Sequence, residues 1–443
     1  MVKSAATRAA AAAALALLLV GCAEAPDVPN VVVWIEVDTL RADALGCYGN
    51  TARDADGDGP SPAIDALAAQ SVRFERAYAT APWTVPSLVS QLTGRWPWEH
   101  GALRVVQPLD PSLDTLPARF RRAGWRTAGV TTNFITRAQY GFDRGFERWD
   151  ESLATGHEGS TGAAAVARLL ALADDLAREP GAGLFLFALL FEPHYRYEAH
   201  PEHRFAPQSA PRVRGDEELP ALRERLDELG PDDAAFLRAR YQGEVAAADA
   251  AIGALVRGLR ERGLLEDAVV VFTADHGEEL LERGWLGHTT TLFDELVRVP
   301  LLVRAPGLDP AVSDAPVSLV DLGATLCALA GVPHEGPTWA DALRGGAAPR
   351  RYLYLHSDFE PPLPGGKAKR TLQWGVVDGA TRRKWLVDHL ADGGPRGALY
   401  ALDDDPHERR PLDGPALRLR RGLVPEALDG ADGGAAIAPE AER

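Results

Sequence analysis

Four side chains in this sequence are of the types and in the places that could do chemistry together: Thr84, Asp38, Asp275 and His276. Trp83-Thr84-Val85-Pro86-Ser87, followed by Leu92-Thr93-Gly94, reads as a hydroxyl placed just before a helix that begins with Pro86 and Ser87. Proline is tolerated in a first helical turn because no intrahelical N–H bond is lost there. The unpaired N–H groups and positive dipole end of such a helix attract an anion. A Thr84 hydroxyl facing a bound anion is a candidate nucleophile, provided something lowers its pKa; the ordinary alternative is an N-terminal cap.

The other three residues are set by strands. Val31-Val32-Val33-Trp34-Ile35-Glu36-Val37 is a short apolar, β-rich run of the kind that forms a buried parallel strand, and it ends at Asp38-Thr39. Ala268-Val269-Val270-Val271-Phe272 is a second such run, ending near Asp275-His276-Gly277. Ligands of open parallel sheets sit beyond the carboxyl ends of the strands, so Asp38, Asp275 and His276 are expected to meet in one place. Two carboxylates and an imidazole suit one divalent ion: the oxygens fit calcium, magnesium or manganese, and the histidine fits manganese or zinc better.

Elements elsewhere agree with an α/β chain. Leu116 to Arg122 is predicted helical and leads past Gly124 into the strand Thr127-Ala128-Gly129-Val130. Leu184 to Leu190 is predicted as a central strand ending near His194. Tyr241, Val245, Ala248, Ile252, Leu255 and Leu259 follow helical spacing, and Gly263 stops that helix. Alternation of this kind predicts a large, mainly parallel sheet flanked by helices. After Gly331-Val332-Pro333 the short runs Tyr352 to Leu355, Trp374 to Val377 and Lys384 to Val387 predict a smaller α+β part. The acidic stretch 196–233 is expected to overhang the site, and the loop 361–366 to reach its mouth. Asp54-Ala55-Asp56-Gly57-Asp58-Gly59 lacks the downstream acid of a calcium loop and reads as a polar turn.

The chain resembles the sulfatase family of the alkaline phosphatase superfamily over residues 30–412. The residues that carry the resemblance are Val37 to Asp43, Leu45 to Gly49, Ser61 to Ala68, Phe74 to Tyr78, Pro86-Ser87 with Leu92-Thr93-Gly94, Phe272 to Glu278, Arg298 to Leu301, Ser318 to Leu322 and Asp405 to Glu408. The resemblance implies the alkaline-phosphatase-like sulfatase fold and an ester hydrolase. By the same resemblance, His288 in Gly287-His288-Thr289 and His194 in Glu192-Pro193-His194 fall at positions that contact the ester group or protonate the leaving group. Ser87, at the helix entry, joins them as a substrate-binding candidate.

Departures from the family pattern matter as much. Thr84 stands where a sulfatase has the Cys or Ser that becomes formylglycine, and threonine cannot form that aldehyde. Leu88 stands where the family has Arg, and Thr39 replaces the second Asp of an Asp-Asp pair. The usual Lys-x-His motif is replaced by Thr131-Thr132-Asn133-Phe134. The pattern is closer to superfamily relatives with a Thr nucleophile beside one metal, such as phosphoglycerol and phosphoethanolamine transferases. In that arrangement Asp38, Thr84, Asp275 and His276 are the metal ligands, and no formylglycine is expected.

Composition suits a folded enzyme: 443 residues, 46% hydrophobic and 25% charged, leave room for one large domain and a smaller part. Lys3 and Arg8 precede an apolar run from Ala9 to Val20 too short to span a bilayer, and Leu19-Val20-Gly21-Cys22 resembles a lipobox. The expectation is a signal peptide over 1–21, lipidation at Cys22, a tether over 22–29, a catalytic domain over 30–335, a C-terminal subdomain over 336–426 and a disordered tail over 427–443. That places the protein in a bacterial cell envelope, lipid-anchored on the periplasmic side, with the outer membrane favoured. Loss of the leader takes the net charge from −16 to about −18, which disfavours nucleic acid as a partner. Cys47 and Cys327 are expected to be buried thiols.

The expected activity is metal-dependent hydrolysis of sulfate or phosphate esters through Thr84, on a sulfated or phosphorylated small molecule, glycan or lipid. The alternatives are a phosphotransferase acting on an envelope lipid or glycan, and a non-catalytic binding lipoprotein.

Overall fold

Buried apolar runs form the strands on which everything else is hung. The computed structural model describes residues 29–155, 162–361, 370–390 and 396–412. The leader, Cys22 and most of the tether, most of the 361–366 loop and the tail beyond 427 lie outside the described residues. Strands β1 (Val31–Val37), β2 (Val72–Phe74), β3 (Arg126–Thr131), β4 (Arg148–Asp150), β5 (Leu184–Leu190), β6 (Ala268–Ala274), β7 (Leu301–Arg304) and β8 (Ala311–Ser313) make an eight-stranded sheet in the order β8-β2-β7-β6-β1-β5-β3-β4. From β6 to β4 every pairing is parallel. On the other side β7 runs antiparallel to both β6 and β2, so the sheet is mixed at that edge. All seven residues of β1, β5 and β6 are buried, as expected of strands covered on both faces.

The register decides what meets at the carboxyl edge. Val37 of β1 pairs with Leu190 of β5 on one side and with Ala274 of β6 on the other. The next residues, Asp38, Phe191 and Asp275, therefore leave the sheet side by side. Thr131 of β3 pairs with Leu189, which brings Asn133 to the same edge.

Helices α1 (Thr84–Thr93), α2 (Leu116–Arg122), α3 (Gly162–Leu176), α4 (Leu219–Arg223), α5 (Pro231–Glu261) and α6 (Leu322–Leu329) flank and cap the sheet. The apolar stripe of α5 packs Tyr241, Val245, Ile252, Leu255 and Leu259 into the main core. That helix begins ten residues before the predicted stripe, with Pro231 at its first position and Asp233 accepting a bond from Gly230 N at 2.9 Å. The C-terminal strands β9 (Tyr352–Phe359), β10 (Thr371–Asp378), β11 (Arg383–Asp388) and β12 (Arg396–Ala401) form an antiparallel sheet of consecutive hairpins. A second apolar cluster, including Leu292, Leu296, Leu353, Leu355 and Tyr400, joins this sheet to the main body. Asp54 accepts bonds from Asp56 N and Asp58 N at 3.0 and 2.9 Å, which makes 54–59 a side-chain-stabilised polar turn. Cys47 and Cys327 are free thiols, half-buried and buried, with pKa values pushed up by burial to about 12 and about 11.

His100 seats the first turn of α1. Ala102 N donates to its Nδ1 at 3.0 Å, which leaves the proton on Nε2, facing the Pro86 carbonyl at 3.1 Å. Burial holds this ring neutral, with its pKa lowered to about 4, and does the same to His356, lowered to about 3. A histidine with a depressed folded-state pKa contributes stability that is complete above the unfolded value near 6.5 and is lost as pH falls toward the folded value. For His100 the full loss is about 3 kcal/mol. Buried Asp249 and Glu279, raised to about 6 and about 7, act in the opposite direction. The expected result is therefore a differential one: between pH 7 and pH 4.5, a His100→Gln variant loses less Tm than the parent, measured by calorimetry at each pH.

Candidate active site

Each functional side chain is delivered by a strand end or a helix start. Thr84 occupies the first position of α1 itself, two residues earlier than the predicted start at Pro86. Trp83 is the N-cap residue, in extended conformation and with no side-chain cap bond, so the Thr84 hydroxyl is not used as a cap. Its Oγ1 lies 3.4 Å from His276 Nε2 in a fully buried setting. Ser87, one turn on, donates from Oγ to the Asp275 carbonyl at 2.6 Å and ties α1 to the end of β6.

Asp38, Asp275 and His276 are all completely buried. Asp275 Oδ1 accepts bonds from Thr39 N at 3.2 Å and His276 N at 2.8 Å, so the residue is fixed by backbone donors. The Nδ1 of His276 faces the Gly277 carbonyl at 2.8 Å; carrying the proton there leaves Nε2 as a lone pair. That lone pair points at Asp275 Oδ2, 3.4 Å away, and Asp38 Oδ1, 3.7 Å away. Three electron-rich atoms facing one another repel unless a cation stands among them. Asp38 Oδ1 and Asp275 Oδ2 have no hydrogen-bond partner, and the candidate ligand atoms of Asp38, Asp275 and His276 lie within 4.8 Å of one another. Burial, and for Asp38 the neighbouring Asp275, raise the pKa of both carboxyls. The donor set fits a divalent ion, as the strand-end residues predicted.

Supporting contacts surround this centre. Asn133 Nδ2 donates to Asp38 Oδ2 at 2.5 Å. Thr39 adopts the left-handed region at φ 55°, which is uncommon for a β-branched residue. Tyr241 of α5 holds that turn by donating to Thr39 O at 2.7 Å while accepting from Arg41 N at 2.9 Å. Gly277 is required by space: a Cβ there would lie 2.1 Å from the Glu295 carbonyl. Deeper in the core, Gln91 of α1 donates to Glu36 Oε1 at 2.8 Å and Trp34 Nε1 donates to Oε2 at 2.7 Å, which locks α1 to β1.

A row of imidazoles leads outward. The ring of His288 is centred 4.6 Å from that of His276, and the ring of His194 is 5.0 Å beyond it. His288 Nδ1 is 2.9 Å from Glu278 Oε1, and Tyr197 donates to Glu278 Oε2 at 3.3 Å. His194 Nδ1 faces the Tyr195 carbonyl at 2.6 Å, and its ring stacks on Phe191 at 4.4 Å. Thus Asp38, Thr84, Ser87, Asp275, His276, His288 and His194 converge on one region. Asn133, Glu278 and Tyr241 join it without having been singled out from sequence. Asn133 had one visible signal, its place just beyond a strand's carboxyl end. From the 196–233 stretch, buried Tyr197 reaches Glu278.

An α/β sheet thus holds buried Asp38, Asp275 and His276 together at its carboxyl edge. Residues 29–332 match the family profile Sulfatase. The chain belongs to the sulfatase family. It is 26% identical over 347 residues to the choline-sulfatase of Rhizobium meliloti (strain 1021), covering 65% of this chain and 67% of that one. It is 27% identical over 526 residues to the steryl-sulfatase of Mus musculus, covering 92% and 82%. Among solved structures, the phosphonate monoester hydrolase of Silicibacter pomeroyi superposes with a TM-score of 0.66 at 23% identity, covering 84% and 89%. A protein solved in complex with its substrate D-glucosamine-2-N,6-O-disulfate superposes at 0.68 and 19% identity, covering 86% and 92%. At these identities the structural matches speak for the fold. No helix among the described residues is long and apolar enough to cross a membrane.

Proposed function

We propose that this protein is a metal-dependent hydrolase of sulfate or phosphate esters in which Thr84, in place of formylglycine, is the nucleophile. The observation that carries the reading is the Thr84 hydroxyl at the start of α1, 3.4 Å from His276 Nε2 and free of any capping bond. A divalent ion held by Asp38, Asp275 and His276 would favour the Thr84 alkoxide and offset charge on the transferring group. Thr84 Oγ1 forms a bond to sulfur or phosphorus as the bond to the leaving oxygen breaks. The Thr84 proton leaves to solvent when the ion binds; the leaving oxygen takes a proton from His288 or His194, which regains one from water as that water's oxygen attacks the ester on Thr84, releasing the anion and restoring the Thr84 oxygen. The α1 N-terminus supplies N–H groups for the anion's oxygens.

The test pairs elemental analysis of the purified protein with hydrolysis of p-nitrophenyl sulfate, phosphate monoester and phosphate diester, with and without chelator. Bound metal and chelator-sensitive release from one ester class supports the reading; absence of both metal and turnover overturns it in favour of a binding protein. His288 is the better placed proton donor, because Glu278 grips its far nitrogen. His288→Gln is expected to lower kcat about 100-fold on esters with poor leaving groups and much less on p-nitrophenyl esters. Equal losses across leaving groups would remove His288 from that role.

The lipobox supports a second part of the proposal: the enzyme is anchored through Cys22 at the bacterial envelope. Mass spectrometry of the mature N-terminus tests it.

A further inference from the structure

This inference rests on the hydrolase reading and names what else the site recognises. The family's cationic positions are Leu88 and Thr131 to Phe134 here, so the first turn of α1 and the end of β3 bring no cation to the substrate. One cation arrives by another route. Arg223, the last residue of the short helix α4, comes from the 196–233 stretch and lies against Gly287, the residue before His288. A Cβ on Gly287 would stand 2.3 Å from Arg223 Nη2, and Gly287 has φ 100°, so glycine is what admits the guanidinium.

The guanidinium is held in orientation but not neutralised. Its Nε donates to the Leu286 carbonyl at 2.9 Å, and its Cζ sits 4.8 Å from the centre of the Trp285 ring. It forms no ion pair among the described residues. The nearby carboxylates are turned elsewhere: Glu278 uses one oxygen on His288 and the other on Tyr197, and Glu279 Oε1 accepts from Arg283 N and Trp285 N. Burial lowers the Arg223 pKa from its ordinary value, and Glu278 and Glu279 only partly offset this. A half-buried arginine with its edge unmatched is a fork awaiting an oxyanion.

We propose that Arg223 is a specificity-determining residue that binds a second anionic group, a carboxylate, sulfate or phosphate, carried by the leaving-group part of the substrate beside His288. The natural substrate is then at least doubly anionic: one group is cleaved at Thr84 and the other is read by Arg223.

The test compares 4-nitrophenyl and 3-carboxy-4-nitrophenyl esters of whichever anion is hydrolysed. The ratio of kcat/KM for the carboxylated over the plain ester is expected to fall about 10-fold in Arg223→Gln, mainly through KM, and to be partly restored in Arg223→Lys. A merely structural arginine would lower both esters together and leave the ratio unchanged, and that result overturns the proposal. If wild-type protein hydrolyses neither ester, the hydrolase reading fails by itself. The same two compounds are then bound to the metal-loaded protein by calorimetry. A carboxylate preference lost in Arg223→Gln sustains the inference, whereas no wild-type preference, or one that survives the substitution, overturns it.

Discussion

Thr84→Ala is expected to abolish turnover, by 1,000-fold or more, while the protein folds as before and keeps its metal through the three remaining ligands Asp38, Asp275 and His276. Removing a nucleophile typically costs at least that much, because the remaining site can only bind and polarise the ester. The structural cost is small. The hydroxyl caps nothing, its polar neighbours are His276 Nε2 at 3.4 Å and the Asp275 carboxyl, and α1 keeps its cap residue Trp83, its seat on His100 and its tie through Ser87 to Asp275. A Tm within a few degrees of the parent and an unchanged metal content would show that the loss is chemical. Thr84→Ser, which keeps the oxygen, is expected to retain part of the rate. Full activity in Thr84→Ala, measured with the ester class the parent hydrolyses, ends the nucleophile proposal.

The second large effect is expected from Asp275→Asn. The amide oxygen can still accept from Thr39 N and His276 N, so the turn between β6 and the site keeps its backbone bonds. The other position, Oδ2, becomes an NH2 group aimed at the place where Asp38 Oδ1 and the His276 lone pair converge. A donor there opposes a cation instead of binding it. Metal affinity is expected to fall at least about 100-fold, with activity falling alongside, while the metal-free variant is at least as stable as metal-free parent because one buried carboxyl has gone. Elemental analysis after dialysis and a calorimetric Tm of both apo forms check this. Unchanged metal occupancy would take Asp275 out of the ligand set.

Some of the site followed from sequence because it depends on local rules. A strand's end is marked by where its apolar run stops, and a parallel sheet gathers ligands at such ends, so Asp38, Asp275 and His276 could be joined across more than 230 residues of chain. Thr84 was visible because a helix start has its own residue signature. The large parallel sheet and the later short strands were likewise carried by hydrophobic periodicity. Glu36 shows the limit of that reasoning: it entered only as one residue of an apolar run, yet it accepts bonds from both Trp34 and Gln91 at the heart of the fold.

Only the tertiary structure decided the remainder, since no local pattern encodes which loops meet. Asn133 reaches Asp38 because β3 and β1 both flank β5; Tyr241 holds the strained Thr39 turn from a helix 200 residues away; Glu278 turns toward His288; and Arg223 finds its seat on Gly287. The sequence by itself determined the elements, the family and the ligand types at the strand ends. Packing across the sheet edge decided their distances, the missing hydrogen-bond partners that make a cation fit, and the donors that hold Asp38 and Glu278 in place, because those depend on side chains brought together from distant parts of the chain.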